Sequence, residues 1–203
     1  HALLCESERK EGGIILDLGS KTSKCHIMVN NQIINTQTVA IGQEQVVKDI
    51  ATCLNTSHHE AERLYQSFGN TYLPNCDSKN NIHIHSFNKS HKIKHRLLCQ
   101  VIESRLNETL KLLFKKCKEN LHSSSKVYLT GCGQNLDGIK DYIETKWKKK
   151  VKFDPNYIKE SIGEINYSIA LGGVLTGLHH QHIRYQKETI QKITKNPFYN
   201  FLK

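Results

Sequence analysis

The chain has 203 residues, room for one domain or two small lobes. Hydrophobic residues make up 37% and charged residues 24%, which permits a core and excludes wholesale disorder; no apolar run approaches the roughly 20 residues of a membrane-spanning helix. Twenty-nine basic against nineteen acidic residues leave a net charge of +10, which favours anionic partners without choosing among nucleotide, nucleic acid and lipid surface.

The chain opens at His1 rather than at methionine, and its first residues turn charged too early for a signal peptide. A fragment or a processed chain is therefore expected. Cys5, Cys25, Cys53, Cys76, Cys99, Cys117 and Cys132 stand far apart. An odd count without a CxxC pair argues against a disulfide framework or a zinc knuckle, and fits a reducing cytoplasm.

The first structured stretch is Gly13-Ile14-Ile15-Leu16-Asp17-Leu18-Gly19-Ser20-Lys21-Thr22. Its apolar run predicts a buried strand, and Gly19 permits a tight reversal into Cys25–Val29, a returning strand. Backbone N–H groups at such a turn can cradle a phosphate, and Asp17 stands where it can hold a hydrated cation beside it. An ordinary hairpin with an edge aspartate is the alternative. Asn30-Asn31 predicts a turn and 32–39 a third strand.

Two helices follow. The first covers 43–54, with Val46, Val47, Ile50 and Leu54 on one face. The second covers 58–68, with Ser57 as N-cap, Glu60 completing a capping box, and Gly69 as stop. From 71 to 94 the periodicity fades into an irregular excursion with one or two strands, the clearer at 81–85. The longest helix is expected at 97–121. A short strand, 126–129, leads to a second glycine turn, Thr130-Gly131-Cys132-Gly133; then come a helix at 135–147, a strand at 151–153 and a helix at about 167–178. The order predicts an α/β lobe interrupted by a mostly helical insertion.

Five segments stand out together: Asp17-Leu18-Gly19-Ser20-Lys21-Thr22; Glu60-Ala61-Glu62-Arg63-Leu64-Tyr65 with Gly69-Asn70; Val101-Ile102-Glu103-Ser104-Arg105; Leu129 to Gly138; and Tyr167-Ser168-Ile169-Ala170-Leu171-Gly172. In order and spacing they resemble the FtsA family of bacterial cell-division proteins, within the ATPase superfamily of actin and the heat-shock chaperones. The family's motifs there read DIGGGT, AERIK…YG, VIEPR, LTGGGAQIEG and YSTAVG.

The resemblance implies an α/β, actin-like (ribonuclease H-like) lobe at 1–42 and 126–178. It implies an inserted helical subdomain at 43–125, a linker at 179–195 and a membrane-targeting amphipathic tail helix at 196–203. It implies binding of ATP by Asp17, Gly19, Ser20, Lys21, Thr22, Glu62, Tyr65, Gly131, Cys132 and Gly133, with Mg2+ held through water at Asp17. The family's first phosphate motif and its distinctive partner-binding subdomain lie in an N-terminal lobe, so the chain is expected to be a C-terminal half holding one wall of the cleft. Ser20 and Lys21 replace two glycines of the pattern, Tyr65 a lysine near the ribose, and Cys132 the middle glycine of the adenosine turn.

The implied function is to link FtsZ filaments to the cytoplasmic face of the inner membrane at the division site. FtsZ would be the main partner, subunits would self-associate into filaments, and nucleic acid would not be a partner. An ATP-dependent enzyme or chaperone of the same superfamily, or a nucleotide-free scaffold, is the alternative; whether ATP is hydrolysed stays open. In the tail, Asn196 suits an N-cap and Pro197 the first helical position. Phe198, Phe201 and Leu202 share one face, and Lys195 and Lys203 can meet anionic headgroups. A last helix docking on the protein's own core is the other reading. Lys146-Trp147-Lys148-Lys149-Lys150 is read as a solvated helix end rather than a nucleic-acid patch. His179-His180-Gln181-His182 is weighed as a metal site and read against, because no cysteine stands near it and Glu188 is the closest carboxylate after it.

Overall fold

The computed structural model describes residues 4–76, 80–86, 90–117, 126–153 and 172–181. Its strands are β1 (Gly13–Leu18), β2 (Ser23–Val29), β3 (Gln32–Val39), β4 (Asn81–His85), β5 (Ser90–Lys94), β6 (Val127–Thr130) and β7 (Val151–Phe153). Its helices are α1 (Glu6–Glu11), α2 (Gln43–Cys53), α3 (His58–Phe68), α4 (His95–Cys117), α5 (Ile139–Trp147) and α6 at 172–181.

Five strands form one sheet in the order β3-β2-β1-β6-β7. The first three are antiparallel, joined by tight turns; β1, β6 and β7 are parallel. The β2–β3 turn uses Asn30 and Asn31, both at positive φ (46° and 69°), as a two-residue hairpin with the sheet's right-handed twist requires. β4 and β5 pair as a separate hairpin.

The main core lies between the five-stranded sheet and two helices. Ile14, Leu16, Cys25, Ile27, Val127 and Leu129 meet Leu106, Leu110, Leu113 and Phe114 of α4 and Ile139, Tyr142 and Ile143 of α5. Phe114 packs edge-on against Trp147, ring centroids 4.8 Å apart. A second core joins α2, α3 and the β4–β5 hairpin through Val47, Ile50, Leu64, Ile82, Ile84, Leu98 and Ile102. Packing therefore divides α4 itself: its first half serves the inserted unit and its second half the sheet. The stretch 43–125 expected as one insertion thus shares its long helix with the lobe.

Three other expectations are adjusted. A 3-10 turn at Cys132–Asn135 and Gly138 in the left-handed conformation (φ 74°, ψ 0°) precede α5, so that helix begins at Ile139, not at 135. The helix at 172–181 runs three residues into the stretch expected as linker. α1 was not anticipated: six mostly charged residues carry no apolar stripe, and it is tied to β7 by Lys152 Nζ to Glu8 Oε1 at 3.0 Å. Residues 182–203, including the tail helix expected at 196–203, lie outside the described residues, as do 167–171.

A candidate nucleotide cleft

β1 and β6 are parallel neighbours, with Asp17 opposite Thr130. Their C-terminal ends therefore deliver the two glycine turns side by side, the edge of a parallel sheet where ligands bind. Contact between the turns is close because the residues have no side chains there. A Cβ on Gly131 (φ 84°) would stand 2.5 Å from Asp17 Oδ1 and 2.6 Å from the Leu18 carbonyl. One on Gly133 would stand 2.6 Å from Leu18 Cβ.

The first turn is closed internally and capped by α2. Gly19 N–H donates to the Thr22 carbonyl at 3.0 Å. The Gly19 and Ser20 carbonyls accept from the Gln43 and Glu44 amides at the start of α2, at 3.1 and 2.9 Å. Ser20 Oγ donates to Glu44 Oε1 at 3.1 Å. The Gly19 amide is thus taken up within the turn. Ser20 and Lys21 are exposed, and Lys21 brings a cation to the turn.

Between the second turn and the end of α3 opens a cleft of about 410 Å³, lined by Gln43, Tyr65, Gln66, Ser67, Gly69, Cys132, Asn135, Leu136 and Asp137. That volume lies in the range of small-ligand sites. Its edge is fastened at Asp137, whose carbonyl accepts from the Thr71 amide at 2.9 Å and the Thr71 hydroxyl at 3.0 Å. Of the expected residues, Tyr65 and Cys132 line this cleft. Gly19 and Gly133 line a void of about 40 Å³ that shares Gln43, Tyr65 and Leu136 with it. Glu62 is exposed on α3 and accepts from Gln66 Nε2 at 3.3 Å, one turn on. Asp17 stands half-buried at the end of β1, beside Gly131.

Burial pushes the Tyr65 hydroxyl well above its ordinary pKa, so it meets a ligand as a neutral donor. Burial also raises the Cys132 thiol, with the nearby Asp17 charge adding to the rise. Its Sγ donates to the Leu18 carbonyl at 3.4 Å. The lining is thus rich in amides and hydroxyls, with the Asp137 carboxylate as its one charged side chain, and Asp17 and Lys21 sit at the neighbouring turn. Gln43 and Gln66 were not foreseen as lining, because ordinary polar residues at helix ends carry no sequence signal of their own; Asn135 and Asp137 fall within the Leu129 to Gly138 segment, of which only Gly131, Cys132 and Gly133 were named as site residues.

The model of the family described as "Cell division protein FtsA" matches residues 14–172. The FtsA of Buchnera aphidicola (subsp. Acyrthosiphon pisum, strain APS) is 28% identical over 187 residues, 84% of this chain and 45% of that protein. The FtsA of Enterococcus faecalis is 27% identical, over 77% of this chain and 37% of that protein. The chain thus spans less than half the length of these relatives. Among solved structures, MreB5 of Spiroplasma citri bound to AMPPNP superposes with a TM-score of 0.70 at 15% identity, over 93% of this chain and 58% of that one. The fold is actin-like.

Proposed function

This chain belongs to the FtsA family of cell-division proteins, and from that premise we infer that its cleft takes the adenosine end of ATP, with the phosphates at the first glycine turn. The observation that carries this reading is the pairing of the two turns, which sets Asp17 beside Gly131, the residue before Cys132 in the lining of a 410 Å³ cleft. AMPPNP in the actin-like MreB5 of Spiroplasma citri supports a nucleotide as the ligand. The residues present fit magnesium nucleotide: a carboxylate, glycine backbone that a single Cβ would fill, and the exposed Lys21. Mg2+ would neutralise phosphate charge there, with Asp17 holding its water shell.

Site-resolved alkylation tests this. Cys132 lines the cleft and carries a raised pKa, so its labelling should climb steeply above the ordinary thiol pKa of about 8.5. Saturating ATP with magnesium should slow that labelling severalfold while leaving the exposed Cys53 unchanged. Asp17→Ala should remove the magnesium dependence and keep protection by adenosine. An equal Cys132 rate with and without nucleotide would refute the site.

The longer protein, in this reading, links FtsZ filaments to the cytoplasmic face of the inner membrane at the division site, and its subunits self-associate into filaments. Phe198, Phe201 and Leu202 would enter the lipid, with Lys195 and Lys203 at the headgroups. So short a helix binds weakly and reversibly, and holds only when many copies are linked. Sedimentation with anionic vesicles should therefore require oligomers and should vanish when 196–203 are deleted. Vesicle binding that survives the deletion sinks the anchor.

A further inference from the structure

Away from the cleft, two thiols and an imidazole converge. His95 and Cys99 stand one turn apart on α4, so both side chains leave the same helix face. Cys76 follows the 3-10 turn Leu73–Asn75, where its own amide donates to the Leu73 carbonyl at 3.0 Å. A ring nitrogen of His95 and the two sulfurs all lie within 4.8 Å of one another. Both cysteines are buried and His95 is partly exposed, so the group opens to solvent on the imidazole side. His95 Nε2 stands 2.7 Å from the Phe68 carbonyl. A carbonyl only accepts, so Nε2 carries the proton and Nδ1 keeps the lone pair. That outer hydrogen bond to a backbone carbonyl is how metal-binding histidines are oriented.

We propose that Cys76, His95 and Cys99 bind a zinc ion, with the fourth position left to solvent. Two thiolates and an imidazole match the softness and tetrahedral preference of Zn2+. With Zn–S near 2.3 Å and Zn–N near 2.0 Å, tetrahedral ligands stand about 3.5–3.8 Å apart. Closing from 4.8 Å or less takes a side-chain adjustment of about 1 Å. Two thiolates cancel the ion's charge, so the buried site is neutral. Each thiol gives up its proton on binding, so two protons leave per ion and affinity rises with pH. Without an ion, burial and the neighbouring Cys76 hold the Cys99 thiol protonated and unreactive.

The ion would brace the cleft from behind. It would join the stretch 71–76 to the start of α4, and through His95 to the last residue of α3. That same segment holds Asp137 at the cleft edge through Thr71. The proposal does not depend on the identity of the ligand in the cleft.

The test uses the full chain, reduced and stripped of metal, titrated with Co2+ and then Zn2+. The expected result is one ion per chain, a thiolate-to-cobalt charge-transfer band, the visible bands of a tetrahedral ion, and displacement by zinc. Cys76→Ser and Cys99→Ser should remove the charge-transfer intensity in part and weaken zinc at least roughly 100-fold. Cys99 is fully buried, so His95→Ala guards against a folding defect: it should weaken zinc as much while leaving both thiols intact. Cys53→Ser and His179→Ala should bind as the parent does. Absence of the charge-transfer band, binding unchanged by His95→Ala, or a Cys76–Cys99 disulfide in protein isolated with zinc present would each overturn the proposal.

Discussion

Gly131→Ala will lower the stability of the chain by about 3–4 kcal/mol. Its backbone sits at φ 84° and ψ 175°, a region that side chains enter at a cost of about 1–3 kcal/mol. The added methyl would also press on the Asp17 carboxylate and the Leu18 carbonyl. The Leu18 carbonyl cannot retreat, because β1 is held between β2 and β6 by ladders on both sides. Overpacking of that kind costs about 1–3 kcal/mol more. Gly173 is the control. It is helical, and a Cβ there meets nothing within 4 Å among the described residues, so Gly173→Ala should be neutral or gain about 0.5–1 kcal/mol. Urea midpoints at unchanged slope would measure both. A loss at Gly131 below about 1 kcal/mol would show that the turns are not locked together.

Glu60→Gln should remove about 2–3 kcal/mol at neutral pH and almost nothing in strong acid. Glu60 is the buried anion that ties α3 to the β4–β5 hairpin. Its carboxylate takes a two-pronged bond from Arg63, at 2.7 and 2.8 Å, and the His85 amide at 3.0 Å. Arg63 in turn donates to the His83 carbonyl at 3.1 Å. The Arg63 hydrogen bonds hold the Glu60 carboxyl down from 4.5 to about 2 against the opposing pull of burial. A folded-state pKa below the unfolded one means the stabilisation is complete above pH 4.5 and fades as pH falls toward 2. The parent should lose stability across that window, and Glu60→Gln should run flatter there. Parallel profiles for the two proteins would remove Glu60 from the account of acid sensitivity.

Much of the fold was legible because local chemistry and tertiary packing agreed. Ser57 accepts from the Glu60 amide and Gly69 ends the helix, so α3 has the expected bounds; the capping box does not close, because the Glu60 carboxylate turns to Arg63 and the His85 amide instead. Asn30-Asn31 turns where two αL-tolerant residues should. The start of α5 was missed because a glycine in the left-handed conformation, packed against Asn70, interrupts an otherwise helical pattern. At the site, the glycines and Asp17 were visible as motif residues. Gln66 was not, since it reaches the cleft only when α3 and the second turn face each other. The Cys76, His95 and Cys99 group was invisible for a related reason. Cys76 lies nineteen residues before His95, and only the fold closes that distance.

The division of α4 between two cores has a consequence for how the chain comes apart. Leu98 and Ile102 belong to one core, and Leu106, Leu110 and Leu113 to the other. No glycine or proline interrupts the helix between them, and Arg105, at the junction, is clasped by Asp49 of α2, with Nη2 3.0 Å from Oδ1. Melting either core removes the support of the shared rod and exposes apolar surface on the other. Partial unfolding is thereby penalised twice, and the described units gain and lose their structure together, in one cooperative transition rather than two.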